Sequence, residues 1–102
     1  MSPAIAEHRT ELEALCRRYC VRRLELFGSA AVGKERAGES DFDFLVEFGP
    51  FASGDYANAY FGLLESLQAL LGRPVDLVVA SAIRNPYFRQ AIEQTRTLVY
   101  AA

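Results

Sequence analysis

Two aspartates interrupt a segment that is otherwise rich in apolar residues. Asp41 and Asp43 lie in SDFDFLVEF, among Phe, Leu and Val. A carboxylate buried in such surroundings is costly unless it is paired, hydrogen-bonded or bound to a metal. No Lys or Arg stands beside the two acids in the sequence. A divalent cation would relieve their mutual repulsion, because hard cations such as Mg²⁺ select carboxylate oxygens.

A third acid strengthens the metal interpretation. Asp76 lies in VDLVV, where alternation places Val75, Leu77 and Val79 on one face and Asp76 on the other. If the two segments are neighbouring strands, all three acids converge. Three aspartates can hold two metal ions about 3.5–4 Å apart, the arrangement used for in-line phosphoryl and nucleotidyl transfer. The structural alternative is that the acids protect sheet edges against aggregation, a task more often performed by Lys.

The pair Gly28-Ser29 ends the strand-like segment that precedes the acids. A glycine at this point lets the backbone approach a ligand closely, and the turn after it can offer N–H groups to a phosphate. The Ser29 hydroxyl can donate to a phosphate oxygen. Gly-Ser alone is usually only a turn, so its meaning depends on the acids that follow.

The hydrophobic periodicity predicts the elements that must position these residues. Strands are predicted in RRLELFG, DFDFLVEF, PVDLVVA and TRTLVYA, helices over 4–20, 55–71 and 86–94, and a helical turn with a loop in AAVGKERAG. In the second strand, the side chains that should face the helices are Phe42, Phe44, Val46 and Phe48, while Asp41 and Asp43 face the other way. The prediction is an α+β (mixed α/β) fold, a small mixed sheet backed by helices on one face, in a single domain over residues 1–102.

Composition narrows the function classes. The 102 residues are 51% hydrophobic and 24% charged, with a net charge of −2, which is typical of a soluble globular domain. The acidic balance disfavours broad binding to nucleic acid. No apolar run approaches the roughly 20 residues of a membrane span, and the N-terminus lacks a hydrophobic signal segment. We therefore expect a cytoplasmic protein without membrane contact.

At these motifs the sequence resembles a known family. LFGSAAVG, SDFDFLVEF, RPVDLVV and NPYFRQAIEQ are similar to the minimal nucleotidyltransferases of the DNA polymerase β-type superfamily, over about residues 23–100. The resemblance implies a polymerase-β-like core. Many stand-alone members are antitoxins paired with a HEPN-domain ribonuclease toxin. It further implies transfer of AMP from ATP with Mg²⁺, two ions being expected, in some members onto a tyrosine of the toxin.

The resemblance also implies roles for individual residues. Gly28 and Ser29 match the nucleotide-phosphate turn, and Ser40 precedes the acids as it often does in the family. The catalytic acids and metal ligands would be Asp41, Asp43 and Asp76, the last of which can also act as the base for the attacking hydroxyl.

The sequence departs from the family pattern in two ways. Ala30 and Val32 stand where the family commonly carries Arg, and the stretch over residues 30–40 is one residue longer than usual. Lys34 or Arg36 are candidates for the missing positive charge.

Three functions remain open at this point. The first is a nucleotidyltransferase that modifies a partner HEPN toxin, and the second is a non-catalytic antitoxin that neutralises its partner by contact. Transfer to a small molecule would need an additional acceptor-binding surface, and nucleic acid is disfavoured as acceptor. A domain this small covers its sheet poorly, so we expect a homo- or hetero-oligomer.

Overall fold

The computed structural model describes residues 2–31, 41–50 and 55–102. Most of AAVGKERAG, with its predicted helical turn and loop, lies outside these ranges. The described elements are α1 (Pro3–Glu7), α2 (Arg9–Arg18), β1 (Val21–Phe27), β2 (Phe42–Phe48), α3 (Asp55–Leu71), β3 (Val75–Val79), a 3₁₀ turn (Ala80–Ala82), α4 (Pro86–Thr95) and β4 (Thr97–Ala101). Within the described ranges, no helix is both long enough and apolar enough to cross a membrane.

The four strands form one mixed sheet in the order β3-β2-β1-β4. β1 is antiparallel to both β2 and β4, whereas β2 and β3 are parallel. A parallel pair needs a crossover connection, and α3 provides it between β2 and β3. The predicted mixed α+β architecture is confirmed.

The main core lies between the sheet and helices α1 to α3. Phe42, Phe44 and Val46 of β2 are completely buried in it, as are Leu24 and Leu26 of β1. These residues alternate along their strands, so all of them project from one face. The predicted orientation of the β2 side chains is confirmed, and it places Asp43 on the opposite face.

Helix α4 packs on that opposite face, which corrects the expectation that helices back only one side of the sheet. Ile92 of α4 is buried against Phe27 and Leu45, and the ring of Phe88 meets the ring of Phe27 edge-on at 6.1 Å. Phe27 and Leu45 share this face with the charged residues Glu25 and Asp43, so the sequence pattern of the face is largely polar. The apolar residues on it nevertheless need cover, and α4 supplies it.

The helix boundaries follow from local chemistry. The helix predicted over 4–20 is divided at His8 into α1 and α2. Helix α3 ends before Gly72, whose φ of +68° is the left-handed conformation of a helix stop. At the start of α4, the Asn85 side chain accepts hydrogen bonds from the N–H groups of Tyr87 and Phe88, and Pro86 occupies the first helical position.

A buried ionic cluster joins the end of α4 to β1. The side chain of Glu25 is only 4% exposed. Arg96 donates to both of its carboxylate oxygens, at 2.7 Å to Oε2 and 2.6 Å to Oε1, and Arg23 donates to Oε1 at 2.9 Å. These hydrogen bonds, with Arg96 the largest contributor, lower the pKa of Glu25 against the opposing effect of its burial.

Candidate active site

The turn after β1 places its backbone against a carboxylate. Gly28 has a φ of +76°, a conformation that side chains other than hydrogen adopt at a cost. A Cβ at this position would lie 2.6 Å from Oδ2 of Asp43. The N–H of Ala31 donates to the carbonyl oxygen of Gly28 at 3.2 Å, which closes the turn. Glycine is therefore required here both by the backbone angle and by the approach of Asp43.

The strand register brings two of the predicted acids side by side. Asp43 of β2 is the register partner of Asp76 in the parallel strand β3, and neighbouring strands lie about 4.8 Å apart. On its other side Asp43 pairs with Phe27, the residue before Gly28. The expectation that the two acid-bearing strands are neighbours is confirmed, and Asp43 is the central residue of the group.

The electrostatics indicate that Asp76 and Asp41 both act on Asp43. Asp43 is half-buried, whereas Asp41 and Asp76 are exposed. The pKa of Asp43 is raised, first by burial and then by the negative charges of Asp76 and Asp41. Two carboxylates close enough to raise the pKa of a third form a local concentration of negative charge that favours a cation.

The donor set of this site suits Mg²⁺, which prefers carboxylate oxygens and retains several waters. The absence of a side chain at Gly28 lets the Asp43 carboxylate lie against the turn, where a Cβ would come within 2.6 Å of its Oδ2 atom. Within residues 2–31, 41–50 and 55–102, however, no group of three or more His, Cys, Asp or Glu side chains stands in an arrangement that could hold a metal ion. Asp41, Asp43 and Asp76 share one end of the sheet, and their side chains would have to turn toward each other to share an ion.

The remaining predicted site residues fall into two groups. Ser29 is exposed next to Gly28, where its hydroxyl is available to a phosphate. Ala30 is only 1% exposed and belongs to the main core, so its small side chain packs beneath the turn. Ser40 and Val32 lie outside the described residues, as do Lys34 and Arg36, and the predicted role of Ser40 stays a prediction.

The structure adds Thr95 to the surroundings of the site. Its Oγ1 accepts a hydrogen bond of 2.9 Å from the N–H of Gly28. Sequence analysis missed this contact because the two residues lie 67 positions apart and a threonine at the end of a helix has no distinctive local signal.

We expect Gly28→Ala to lower the free energy of unfolding by about 1–2 kcal/mol, because alanine is strained in the left-handed conformation. It should also displace Asp43 and remove most of the site's activity. Gly72→Ala is the matched control, since Gly72 has a similar φ of +68° but nothing lies within 4 Å of an added Cβ. Denaturant unfolding should show a similar stability loss in both variants, whereas the rate of the nucleotidyl transfer that the resemblance implies should fall in Gly28→Ala alone; equal rates in the two variants would contradict this interpretation of the turn.

Comparison with known proteins identifies the family. A sequence model described as the nucleotidyltransferase domain matches residues 8–99. The chain belongs to this family. This nucleotidyltransferase is 41% identical over 86 residues to a "putative protein adenylyltransferase" of Methanocaldococcus jannaschii, with 84% of each chain covered. The resemblance to minimal nucleotidyltransferases is confirmed, and the chain is an enzyme of the nucleotidyltransferase class.

Solved structures support the same assignment of the fold. The solved structure of a "putative minimal nucleotidyltransferase" superimposes on this chain with a TM-score of 0.75 at 30% identity, and the match covers 95% of each chain. A chain in the complex of a tri-AMPylated Shewanella oneidensis HEPN toxin with an MNT antitoxin superimposes with a TM-score of 0.65 at 18% identity. That match covers 96% of the nucleotidyltransferase and 73% of the other chain, and at this identity it shows the fold alone.

Proposed function

We propose that this nucleotidyltransferase transfers AMP from ATP, with Mg²⁺, to a tyrosine hydroxyl of a partner HEPN toxin and thereby acts as an antitoxin. The observation that carries the proposal is the contact of the Gly28 turn with Asp43, whose register partner is Asp76. A close-approach glycine beside neighbouring carboxylates suits a nucleoside triphosphate with its cation. The name of the Methanocaldococcus relative and the AMPylated toxin in the Shewanella complex support protein as the acceptor.

Each residue of the site has a task in this reaction. Asp41, Asp43 and Asp76 would hold Mg²⁺, which when bound neutralises charge on the triphosphate. Gly28 lets the phosphates approach the backbone, and the Ser29 hydroxyl donates to a phosphate oxygen. Asp76 accepts the proton of the attacking hydroxyl. The hydroxyl oxygen forms a bond to the α-phosphorus, the bond between that phosphorus and the oxygen bridging to the β-phosphate breaks, and pyrophosphate leaves.

Exposed aromatic side chains on the helices of both sheet faces, α3 and α4, offer contacts for a protein partner. Tyr87 is 81% exposed and Phe61 is 58% exposed. Aromatic residues are enriched at protein interfaces because they combine a large apolar area with few rotatable bonds. They support a macromolecular acceptor over a small molecule, which would need an enclosed pocket.

One observation favours a second candidate function, a non-catalytic antitoxin that acts by contact. Ala30 lies in the core, 1% exposed, at a position where the resembling family commonly carries an arginine. In the described part of the turn, residue 30 therefore offers no positive charge that could neutralise a triphosphate. A chain of this kind would neutralise its toxin without transferring AMP.

Growth rescue separates the two functions. The wild-type chain, the double variant Asp41→Asn/Asp43→Asn and a control, Glu47→Gln, are each co-expressed with a HEPN-domain protein that co-purifies with the chain. Catalytic neutralisation predicts that the wild type and the control restore growth, whereas the double variant does not, although it still binds the partner. Full rescue by a double variant present at the same level would overturn the catalytic proposal and favour neutralisation by contact.

A further inference from the structure

The N–H of Gly28, the first donor of the proposed phosphate turn, already has a partner inside the protein. It donates to Oγ1 of Thr95 at 2.9 Å. Thr95 is the last residue of α4, so a side chain from the opposite end of the sequence reaches the turn. Because the Gly28 N–H donates to Thr95, it is not available to a ligand. Phosphate contacts from this turn must therefore come from Ser29 and the backbone after it.

The end of α4 is held firmly enough for Thr95 to act as an anchor. The next residue, Arg96, is bound to both carboxylate oxygens of the buried Glu25. Bidentate arginine–carboxylate pairs are among the most geometrically specific side-chain contacts. The Thr95 hydroxyl is therefore fixed relative to β1, the strand that leads into the turn.

The position of Gly28 makes this anchoring important for the carboxylates. Gly28 adopts its left-handed φ of +76° within reach of Asp43, so that an added Cβ would lie 2.6 Å from the Asp43 Oδ2 atom. A small rotation of the Gly28 peptide would change both this approach and the direction of Ser29. A hydrogen bond to Gly28 N–H opposes such a rotation because it fixes the peptide plane.

We infer that Thr95 is a positioning residue for the nucleotide-phosphate turn: its hydroxyl holds the Gly28 peptide so that Ser29 faces the triphosphate and Asp43 keeps its place. The inference rests on the proposed function for the identity of the ligand. It assigns to the end of α4 a role in nucleotide binding, in addition to its packing on the sheet.

The test uses three variants of the full chain. Thr95→Val keeps the shape of the side chain and removes the hydroxyl, Thr95→Ser keeps the hydroxyl, and Thr97→Val removes a neighbouring hydroxyl that bonds Thr95 rather than Gly28. Supporting residues of this kind typically contribute about 10–100-fold to a site. We expect Thr95→Val to lower kcat/KM for ATP by about tenfold or more, mainly through a higher KM, because the turn binds the phosphates before the reaction as well as during it. Thr95→Ser and Thr97→Val should stay within about threefold of the wild type.

A second readout does not depend on catalysis. Hydrogen exchange of the Gly28 amide, followed by NMR without nucleotide, should accelerate at least about tenfold in Thr95→Val and stay near wild type in Thr95→Ser. Titration with ATP and Mg²⁺ should show weaker binding by Thr95→Val. Unchanged Gly28 exchange would overturn the contact, and faster exchange with unchanged ATP affinity and KM would overturn the positioning role.

The same measurements distinguish failure of the inference from failure of the proposed function. If the wild type binds ATP but transfers nothing, while Thr95→Val binds ATP more weakly, the proposed function fails and the positioning role is supported. If transfer occurs and Thr95→Val matches the wild type in KM and kcat, only the positioning role fails. A wild-type chain that neither binds ATP nor transfers AMP overturns both the proposed function and the positioning role.

Discussion

Asp43→Asn is expected to reduce AMP transfer at least about a hundredfold while leaving the chain folded. Asp43 is the central acid of the site, lying between Asp76 in the register of β3 and the Gly28 turn. Asparagine has nearly the same shape but lacks the charge that a cation requires, and such a cation contributes several kilocalories per mole to transition-state stabilisation. Initial rates of label transfer from ATP labelled in its α-phosphate measure the effect.

The same substitution should leave stability unchanged or raise it. The pKa of Asp43 is raised in the folded chain by burial and by the charges of Asp76 and Asp41. Its ionised form is therefore less favourable in the folded than in the unfolded state, and a neutral residue removes that unfavourable effect at pH 7. Thermal unfolding checks this expectation. A variant that unfolds during the assay would invalidate the comparison of rates.

Glu47→Gln is the control for a loss of negative charge on β2. Glu47 belongs to the same strand as Asp43 but is exposed, and it lies 3.8 Å from Arg22. Because an exposed pair contributes little, this variant should keep wild-type transfer. If Asp43→Asn retained more than about a tenth of the wild-type rate, in a chain that does transfer AMP, Asp43 would not be the central acid of the site.

Arg96→Met is expected to lower the free energy of unfolding by about 3 kcal/mol at pH 7. It leaves Glu25, whose side chain is 4% exposed, paired with Arg23, which donates to its Oε1 atom at 2.9 Å. Breaking a buried pair from one side is costly because the other charge remains desolvated. The loss should fall at the lower end of the usual range, since Arg96 is itself 38% exposed. Denaturant unfolding measures it.

The stabilisation by the Glu25–Arg96 ion pair should decrease as the pH falls. The pKa of Glu25 is lowered in the folded chain, chiefly by its hydrogen bonds with Arg96. The stabilisation is therefore complete above the unfolded-state pKa, about 4.5, and is lost as the pH falls through the lower folded value. The difference in stability between the wild type and Arg96→Met should accordingly shrink below about pH 4.5. A difference that is constant from pH 7 to pH 3 would contradict the ion-pair explanation.

Two further variants control this result. Arg22→Met removes an arginine from the same strand as Glu25, but its partner Glu47 is exposed and 3.8 Å away, so the expected loss is below about 1 kcal/mol. The double variant Glu25→Leu/Arg96→Met should recover much of the loss, because it removes the buried charge as well as its partner. A double variant as unstable as Arg96→Met would show that packing of the arginine stem, and not the charge, is responsible.

Much of the fold could be predicted because its information is local. The alternation in β2 and β3 fixes which side chains enter the core, and it correctly placed Asp43 and Asp76 on the face away from Phe42 and Phe44. Gly28 follows β1 and Gly72 follows α3, and both have positive φ. A glycine directly after a predicted strand or helix is a stop signal that can be recognised in the sequence. These features depend on neighbours a few residues away.

The rest depends on contacts between distant positions. Glu25 and Arg96 lie 71 residues apart, and Gly28 and Thr95 lie 67 apart, so no periodicity connects them. The packing of α4 on the second face was missed for a related reason. That face mixes Phe27 and Leu45 with Glu25 and Asp43, and only the folded chain shows which of its residues Ile92 covers.

We propose above all that this nucleotidyltransferase attaches AMP to a tyrosine of a HEPN-domain partner. The most direct measurement is peptide mass spectrometry of that partner after incubation with the chain, ATP and Mg²⁺. We expect a mass increase of one or more AMP groups, located on tyrosine, with the wild type and with Glu47→Gln but not with Asp43→Asn. A partner that is bound and neutralised yet carries no AMP would contradict the claim.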